Sequence, residues 1–220
     1  MGFRMPVATP SNLLTLMKTD SLLDQIKAFV SAQLSACGNE LAYHNLNHTL
    51  SVVKNASRIA EYYQLADSER FVVIAASWFH DLGYVNGDPQ GHEQRGTSIF
   101  REFANSLFIE DNLIELVIGC ILATTLPQKP NNLLESIVCD ADLYHFGTTE
   151  FAGKDALMRE ETRRRLKTDI PAASWLAGSA KLLRSHQFCT AYCQDRLAAQ
   201  KQENFRQLEA RIQASSKADQ

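Results

Sequence analysis

The 220-residue sequence predicts an all-α protein, a single compact bundle of roughly eight to ten helices. Two observations carry this. Apolar residues recur at three- and four-residue spacing along almost the whole chain, and alternating strand-like runs bounded by turn signals are nearly absent. A third bounds the size: hydrophobic residues make up 45% of the chain, enough to bury a substantial core without disulfide or structural-metal staples. No internal repeat, low-complexity tract or long linker divides the sequence, so residues 1–220 are expected to form one domain.

After a leader to about residue 10, Leu22, Leu23, Ile26, Phe29, Val30 and Leu34 form a helical stripe, with Ser21 as its cap and Gly38 as its stop. A second helix begins near Asn47 and carries Leu50, Val53, Ile59 and Ala60 inward. Asp67 is placed to cap a third, running from Phe71 to about His80. The stretch from Phe71 to Phe79 offers almost no polar face, which predicts a helix buried on most sides at the centre of the bundle. Its end delivers His80 and Asp81 to a loop, Gly83 to Gly91, that contains Gly87, Asp88 and Pro89 and cannot be regular helix. A fourth helix is expected from His92 to about Ala104 and a fifth from Asp111 to about Thr124, stopped by Pro127 and Pro130. A sixth begins at Leu133 and ends near Gly147. Glu150 to Lys167 and Pro171 to about Arg206 supply the rest, with the polar C-terminal residues expected to fray.

The balance of 22 basic and 25 acidic residues gives a net charge of −3, so there is no overall positive field to hold duplex nucleic acid or an anionic membrane. Five cysteines, an odd number without Cys-x-x-Cys spacing, fit reduced thiols in a cytoplasm. Cys189 and Cys193 are expected on one helix face, in the core. The N-terminus shows no apolar leader with a cleavage site and no run of 18 apolar residues occurs, which is the pattern of a soluble, unexported protein.

Four polar features fall at element ends in this apolar scaffold: Tyr43-His44-Asn45-Leu46-Asn47-His48, His80-Asp81, His92-Glu93 and Asp140-Ala141-Asp142. Imidazoles and carboxylates suit a divalent ion such as Mn, Fe, Zn or Mg, and the cysteines that would argue for structural zinc are not clustered with them. Neighbours on a regular helix point about 100° apart, so His80 and Asp81 converge on one ion only if the helix ends there; Gly83 would permit that turn. Asp140 and Asp142 lie about 200° apart on a helix, so one facing the metal leaves the other facing away. A carboxylate on an apolar helix is costly to bury, and a metal would offset that cost. His44 precedes His48 by one helical turn, placing it as a proton donor or, more plainly, as a capping residue.

These residues resemble the HD-domain metal phosphohydrolases, whose pattern is a His, then a His-Asp pair, then a distant Asp. His48 matches the first His, Phe79-His80-Asp81-Leu82-Gly83 the signature pair with its flanks, and Val138-Cys139-Asp140-Ala141-Asp142-Leu143 the closing Asp. The resemblance covers about residues 40–165 and leaves C-terminal helices, about 171–210, to pack on that core. It implies an HD-type bundle holding one divalent metal (Mn, Fe, Mg, Zn, Ni or Co) on His48, His80, Asp81 and Asp142, with Asp81 also catalytic. Asp142 is favoured over Asp140 because Ala-Asp-Leu aligns best with the closing Asp; Asp140 would then orient a ligand from behind. Tyr43-His44-Asn45-x-x-His48 is similar to the class I cyclic-nucleotide phosphodiesterases, where the corresponding first His is the general acid, which implies that role for His44. His92 and Glu93 follow the signature loop as a His-Glu does in many such proteins, as candidates for a second metal or a bridging water; a helix-capping pair is the alternative. Binuclear relatives carry further His on the next helices, and Gly119 to Thr125 has none, so one tightly held metal is expected.

The expected activity is hydrolysis of a phosphate ester or anhydride, on a nucleotide or other small phosphorylated metabolite, by a phosphatase or phosphodiesterase. Lys54, Arg95 and Lys129, near the motif ends, are candidate phosphate contacts. The run Arg163-Arg164-Arg165-Leu166-Lys167 after Glu160 and Glu161 reads as a solvated helix face, and His145 and His186 as structural histidines. Two other classes compete. A non-catalytic HD module would bind a nucleotide or protein partner, but such modules commonly lose ligands and this chain has lost none. A di-iron oxygenase of the same fold would need more His than Gly119 to Asn131 provides.

Overall fold

The apolar run from Phe71 to Phe79 organises the molecule. A computed structural model describes residues 10–38 and 40–218, with side chains for 19–38, 40–85 and 87–215. Among the described residues there are nine α-helices and no strands: α1 (Pro10–Ala36), α2 (Leu46–Tyr62), α3 (Asp67–Phe79), α4 (His92–Ser106), α5 (Asp111–Ala123), α6 (Leu133–Asp142), α7 (Phe151–Leu166), α8 (Ala172–Ser185) and α9 (Ala191–Ala218). Two 3₁₀ turns, Leu82–Asn86 and Leu143–Gly147, continue α3 and α6 beyond their ends. Every residue of α3 from Phe71 to Phe79 is buried, because α1, α2, α5 and α6 pack around it. Phe79 also stacks with Phe29 of α1 and meets Phe100 of α4 edge to face, centroids 5.0 Å apart.

Several boundaries differ from the sequence expectation for identifiable reasons. The first helix starts at Pro10, a favoured first-turn residue, so Ser21 is an exposed mid-helix position; the leader before it lies outside the described residues. Asp67 is the first helical residue of α3 rather than its cap, and Glu69 reaches back to accept the Ala66 N–H at 3.0 Å. The span from Pro171 to Arg206 is two helices, split at 186–190, where the Asp140 carboxylate takes the backbone N–H groups of Cys189 and Thr190. Cys189 is therefore exposed in this connector while Cys193 is buried in α9, so the two do not share a core face. The last helix continues to Ala218 instead of ending near Arg206, since Leu208 and Ile212 still pack on the core. No helix among the described residues is long and apolar enough to cross a membrane.

The end of α3 is pressed against the start of α4. A Cβ on Gly83 would lie 1.9 Å from the His92 carbonyl oxygen, and one on Gly96 would lie 2.9 Å from the Phe79 carbonyl oxygen. Gly83 thus supplies space for a backbone crossing, not the unusual φ that the sequence suggested. Gly83→Ala must push α4 away from the His80-Asp81 turn. A loss of roughly 2–3 kcal/mol is expected, read as a lower urea midpoint at unchanged slope.

Candidate metal centre

The local backbone explains how four ligands separated by up to about one hundred residues of chain meet. Asn45 caps α2: its side-chain oxygen accepts the N–H groups of Asn47 and His48, while its amide donates to the carbonyls of Leu41 and Ala42. His48 is thereby fixed in the first turn of α2. His80 keeps helical angles (φ −54, ψ −40) and Asp81 departs to φ −104, ψ 1, the bridge region, so the two adjacent side chains swing to the same side. Asp142 closes α6 at the junction with the second 3₁₀ turn.

The donor atoms of His48, His80, Asp81 and Asp142 all lie within 4.8 Å of one another. Asp81 Oδ2 is 3.0 Å from His80 Nε2 and 3.1 Å from His48 Nε2; Asp142 Oδ1 is 3.4 Å and 3.6 Å from His48 and His80 respectively. Ligand bonds of about 2.1 Å place neighbouring donors about 3.0 Å apart in an octahedron and about 3.4 Å apart in a tetrahedron, so these spacings fit a single divalent ion. Asp81 Oδ2 is buried and accepts no hydrogen bond despite its closeness to both rings, as expected of an atom aimed at a shared point rather than at either ring. His80 Nδ1 donates to the Ser77 carbonyl at 2.9 Å, which leaves the Nε2 lone pair facing the cluster.

Charge in this crowd is strongly coupled. Burial alone would lower both imidazoles, yet the carboxylates of Asp142 and Asp81 outweigh it and raise His48 above its ordinary value and His80 well above. Burial likewise would raise both carboxylates, but His80, His44 and His48 pull Asp81 down, and His48 with His80 pull Asp142 down. Without an ion, protons on the rings neutralise the carboxylates; with one, the ion takes over that task.

Around the cluster sit groups that the sequence reading placed and others that it did not. His44 does not share a helix face with His48, because α2 begins only at Leu46. Its Nδ1 instead pairs with Glu161 Oε1 of α7 at 2.6 Å, and its ring stacks on Tyr84 with centroids 3.8 Å apart. Glu161 Oε2 accepts the backbone N–H groups of Tyr43 and His44 at 2.7 and 3.0 Å. Glu161 is buried, contrary to a wholly solvated basic helix face, and Arg165 turns inward with it: its Nε lies 3.5 Å from Glu161 Oε1 and its guanidinium 5.0 Å from the Tyr84 ring centroid. Arg163 and Arg164 do form the expected exposed pairs with Glu160.

His92 Nε2 lies 3.3 Å from Asp81 Oδ1, while its Nδ1 donates to the Pro89 carbonyl at 2.8 Å and lies 3.4 Å from Glu93. Asp140, the other aspartate of its helix turn, faces away from the cluster. Its carboxylate is used entirely on Cys189 and Thr190, so it cannot orient a ligand. Arg95 spends its guanidinium on the carbonyls of Gly83, Asp88 and Gln90, clamping the loop instead of reaching for phosphate. Lys54, with Arg58 and Lys154, lines a cavity of about 190 Å³ whose walls include His48 and Asp142. Lys129 is exposed, next to Gln128, which donates to Asp142 Oδ2 at 3.1 Å. His145, read as structural, stands 3.4 Å from the Tyr43 hydroxyl and is pushed down to about 3, chiefly by burial.

Gln128, Tyr84 and Glu161 carried no signal in the sequence, since each is recognisable only by what lies across the fold. The one hint was Glu161 standing four residues before Arg165.

The raised imidazoles stabilise the metal-free fold at low pH, and that contribution is lost as pH rises through their folded values; the lowered carboxylates contribute above the ordinary carboxylate range. In EDTA, the melting temperature should therefore hold between about pH 5 and about pH 6.5 and fall at higher pH, whereas saturating Mn²⁺ should remove the fall. Parallel curves with and without the ion would contradict a shared site.

Residues 45–147, which contain all four residues of the cluster, match the model of the HD domain. No curated protein matches the chain significantly. Among solved structures, the chain is similar to a protein from an uncultured Thermotogales bacterium, described as a predicted HD superfamily hydrolase. The two share 17% identity and a TM-score of 0.57, over 87% of this chain and 91% of that one. It is also similar to a Lactobacillus plantarum protein, at 15% identity and a TM-score of 0.61, over 88% of this chain and 98% of the other. At such identities the likeness is one of fold. The segment match, the all-helical architecture and the His/His-Asp/Asp cluster agree: residues 45–147 of this chain form an HD domain.

Proposed function

We propose that this protein is a metal-dependent phosphohydrolase that cleaves a phosphate ester or anhydride of a small metabolite, a nucleotide being one candidate, in the cytoplasm. The observation that carries the reading is the pairing of two devices a few ångströms apart: four donors, three of them buried, converging on one point, and an imidazole held by a carboxylate beside them. A divalent ion (Mn, Fe, Mg, Zn, Ni or Co) held by His48, His80, Asp81 and Asp142 would polarise a phosphoryl oxygen and acidify a water.

The chain's own residues do the rest. Glu161 fixes the His44 ring through Nδ1, leaving Nε2 to deliver a proton. Water adds to phosphorus and releases one proton to solvent, the bond from phosphorus to the bridging oxygen breaks, that oxygen leaves with the His44 proton, and His44 takes a proton back from solvent. His92 stands over Asp81 Oδ1, where it can hold a water, and Lys54, Arg58 and Lys154 bring positive charge to the cavity beside His48 and Asp142. Tyr84 covers His44 and shields the pair from solvent.

His80→Ala and Asp81→Ala should each lose bound metal, measured by elemental analysis, together with phosphate release from a panel of nucleotides and simple phosphate esters. His44→Gln should keep the metal and lower kcat by about 10²- to 10⁴-fold. Full hydrolysis and full metal content in either ligand variant would refute the proposal.

A further inference from the structure

A second cavity, of about 400 Å³, opens beside the cluster between the second 3₁₀ turn, α7 and α8. Its walls are apolar, built from Phe146, Phe151, Met158, Ile170 and Trp175, and its carboxylate, Asp155, is occupied by Trp175 Nε1 and the Ser179 hydroxyl. Tyr43 and His145 line the side of this cavity that faces the cluster: the Tyr43 ring lies 4.6 Å from that of His48, and His145 also lines the cavity that contains His48 and Asp142. Its lining includes two large exposed leucines, Leu126 and Leu166, at 54% and 62% accessibility. Leu126 is two residues from Gln128, which touches Asp142, and Leu166 adjoins Arg165, which touches Glu161. Its rim therefore consists of the same segments that hold the reacting groups.

The cationic cavity bearing Lys54 and Arg58 shares His145 and Lys154 with the apolar one. Positive charge and hydrocarbon surface thus flank a single cluster. Lys154 and Ser174 offer few polar partners for the several hydroxyls of a sugar or nucleoside in this mostly apolar cavity, whereas an alkyl or aryl group would bury its surface against hydrocarbon. We propose that the substrate is a phosphate ester of an apolar alcohol, its phosphate on the cluster and its hydrocarbon in the cavity lined by Phe146, Phe151 and Trp175. This rests on the phosphohydrolase reading for turnover, though not for binding.

The test uses the full-length Mn²⁺-loaded protein with two series that share one alkyl ladder from methyl to octyl, which keeps leaving-group chemistry nearly constant. Binding of n-alkyl phosphonates is followed by Trp175 emission, the other tryptophan, Trp78, being buried in α3. Hydrolysis of n-alkyl phosphates is followed by phosphate release. Expected are phosphonate Kd values that fall, and kcat/KM values that rise, about threefold per added methylene. A Cβ on Gly178, which lines the cavity in mid-α8, meets nothing within 4 Å, so Gly178→Phe should fold, retain metal and abolish the chain-length dependence of phosphonate binding.

Phosphonates that bind in ladder order while no phosphate is cleaved would uphold the cavity's role and sink the hydrolase reading. Methyl and octyl phosphates cleaved equally, with flat phosphonate affinity, would do the reverse. Equal affinity of methyl and octyl phosphonate, or sedimentation showing a dimer that Gly178→Phe dissociates, would overturn the inference by giving the cavity no ligand or a second copy of the chain.

Discussion

The rest of the structure answers to one electrostatic demand: two aspartates, buried Asp81 and half-buried Asp142, stand side by side and must be neutralised. Neither could sit there on hydrophobic burial alone. Their companions His48 and His80 meet the demand with protons or with a cation's bonds, and the surrounding helices exist to bring these four side chains together. The apolar character of α3 follows from this, because a helix that must end inside the molecule has no wet face to offer. So does the tight glycine crossing at Gly83 and Gly96, which presses the start of α4 and with it His92 over Asp81.

How much of this was legible in the sequence depended on whether the information was local. Helical periodicity located all the elements as far as α7, and the fully apolar Phe71–Phe79 stretch marked the centre. The cluster was legible because His48, the His80-Asp81 pair and Asp142 each interrupt an apolar pattern at an element end, a local oddity that spacing reveals. What escaped was tertiary. Nothing along the chain distinguishes Glu161 from the exposed Glu160 beside it, although one is 2% accessible and the other pairs with arginines in solvent. The split between α8 and α9 was hidden for the same reason: the connector is stabilised by Asp140, which lies nearly fifty residues earlier. Arg95 looked like a phosphate contact because its neighbours are motif residues, yet three carbonyls of the folded loop claim it first.

Asp140 and Asp142 show what a two-residue offset accomplishes. On one helical turn, one carboxylate faces the ligands and the other faces the connector to α9, so the same rigid turn supports both the site and the docking of the C-terminal helices. The 3₁₀ turn that follows is gripped from the far side as well, since Asn204 of α9 donates to the carbonyls of Phe146 and Thr148.

The Glu161–Arg165 pair on α7 has a consequence for how such a protein diverges. Every residue of the candidate metal cluster lies between residues 45 and 147, whereas His44, its carboxylate partner and most walls of the apolar cavity lie outside that stretch. The grip on the ion and the apparatus around the incoming molecule are thus written in separate passages of the chain. Drift in α7 and α8 can reshape the second passage while the first is left intact, which gives one inherited metal cradle many possible clienteles.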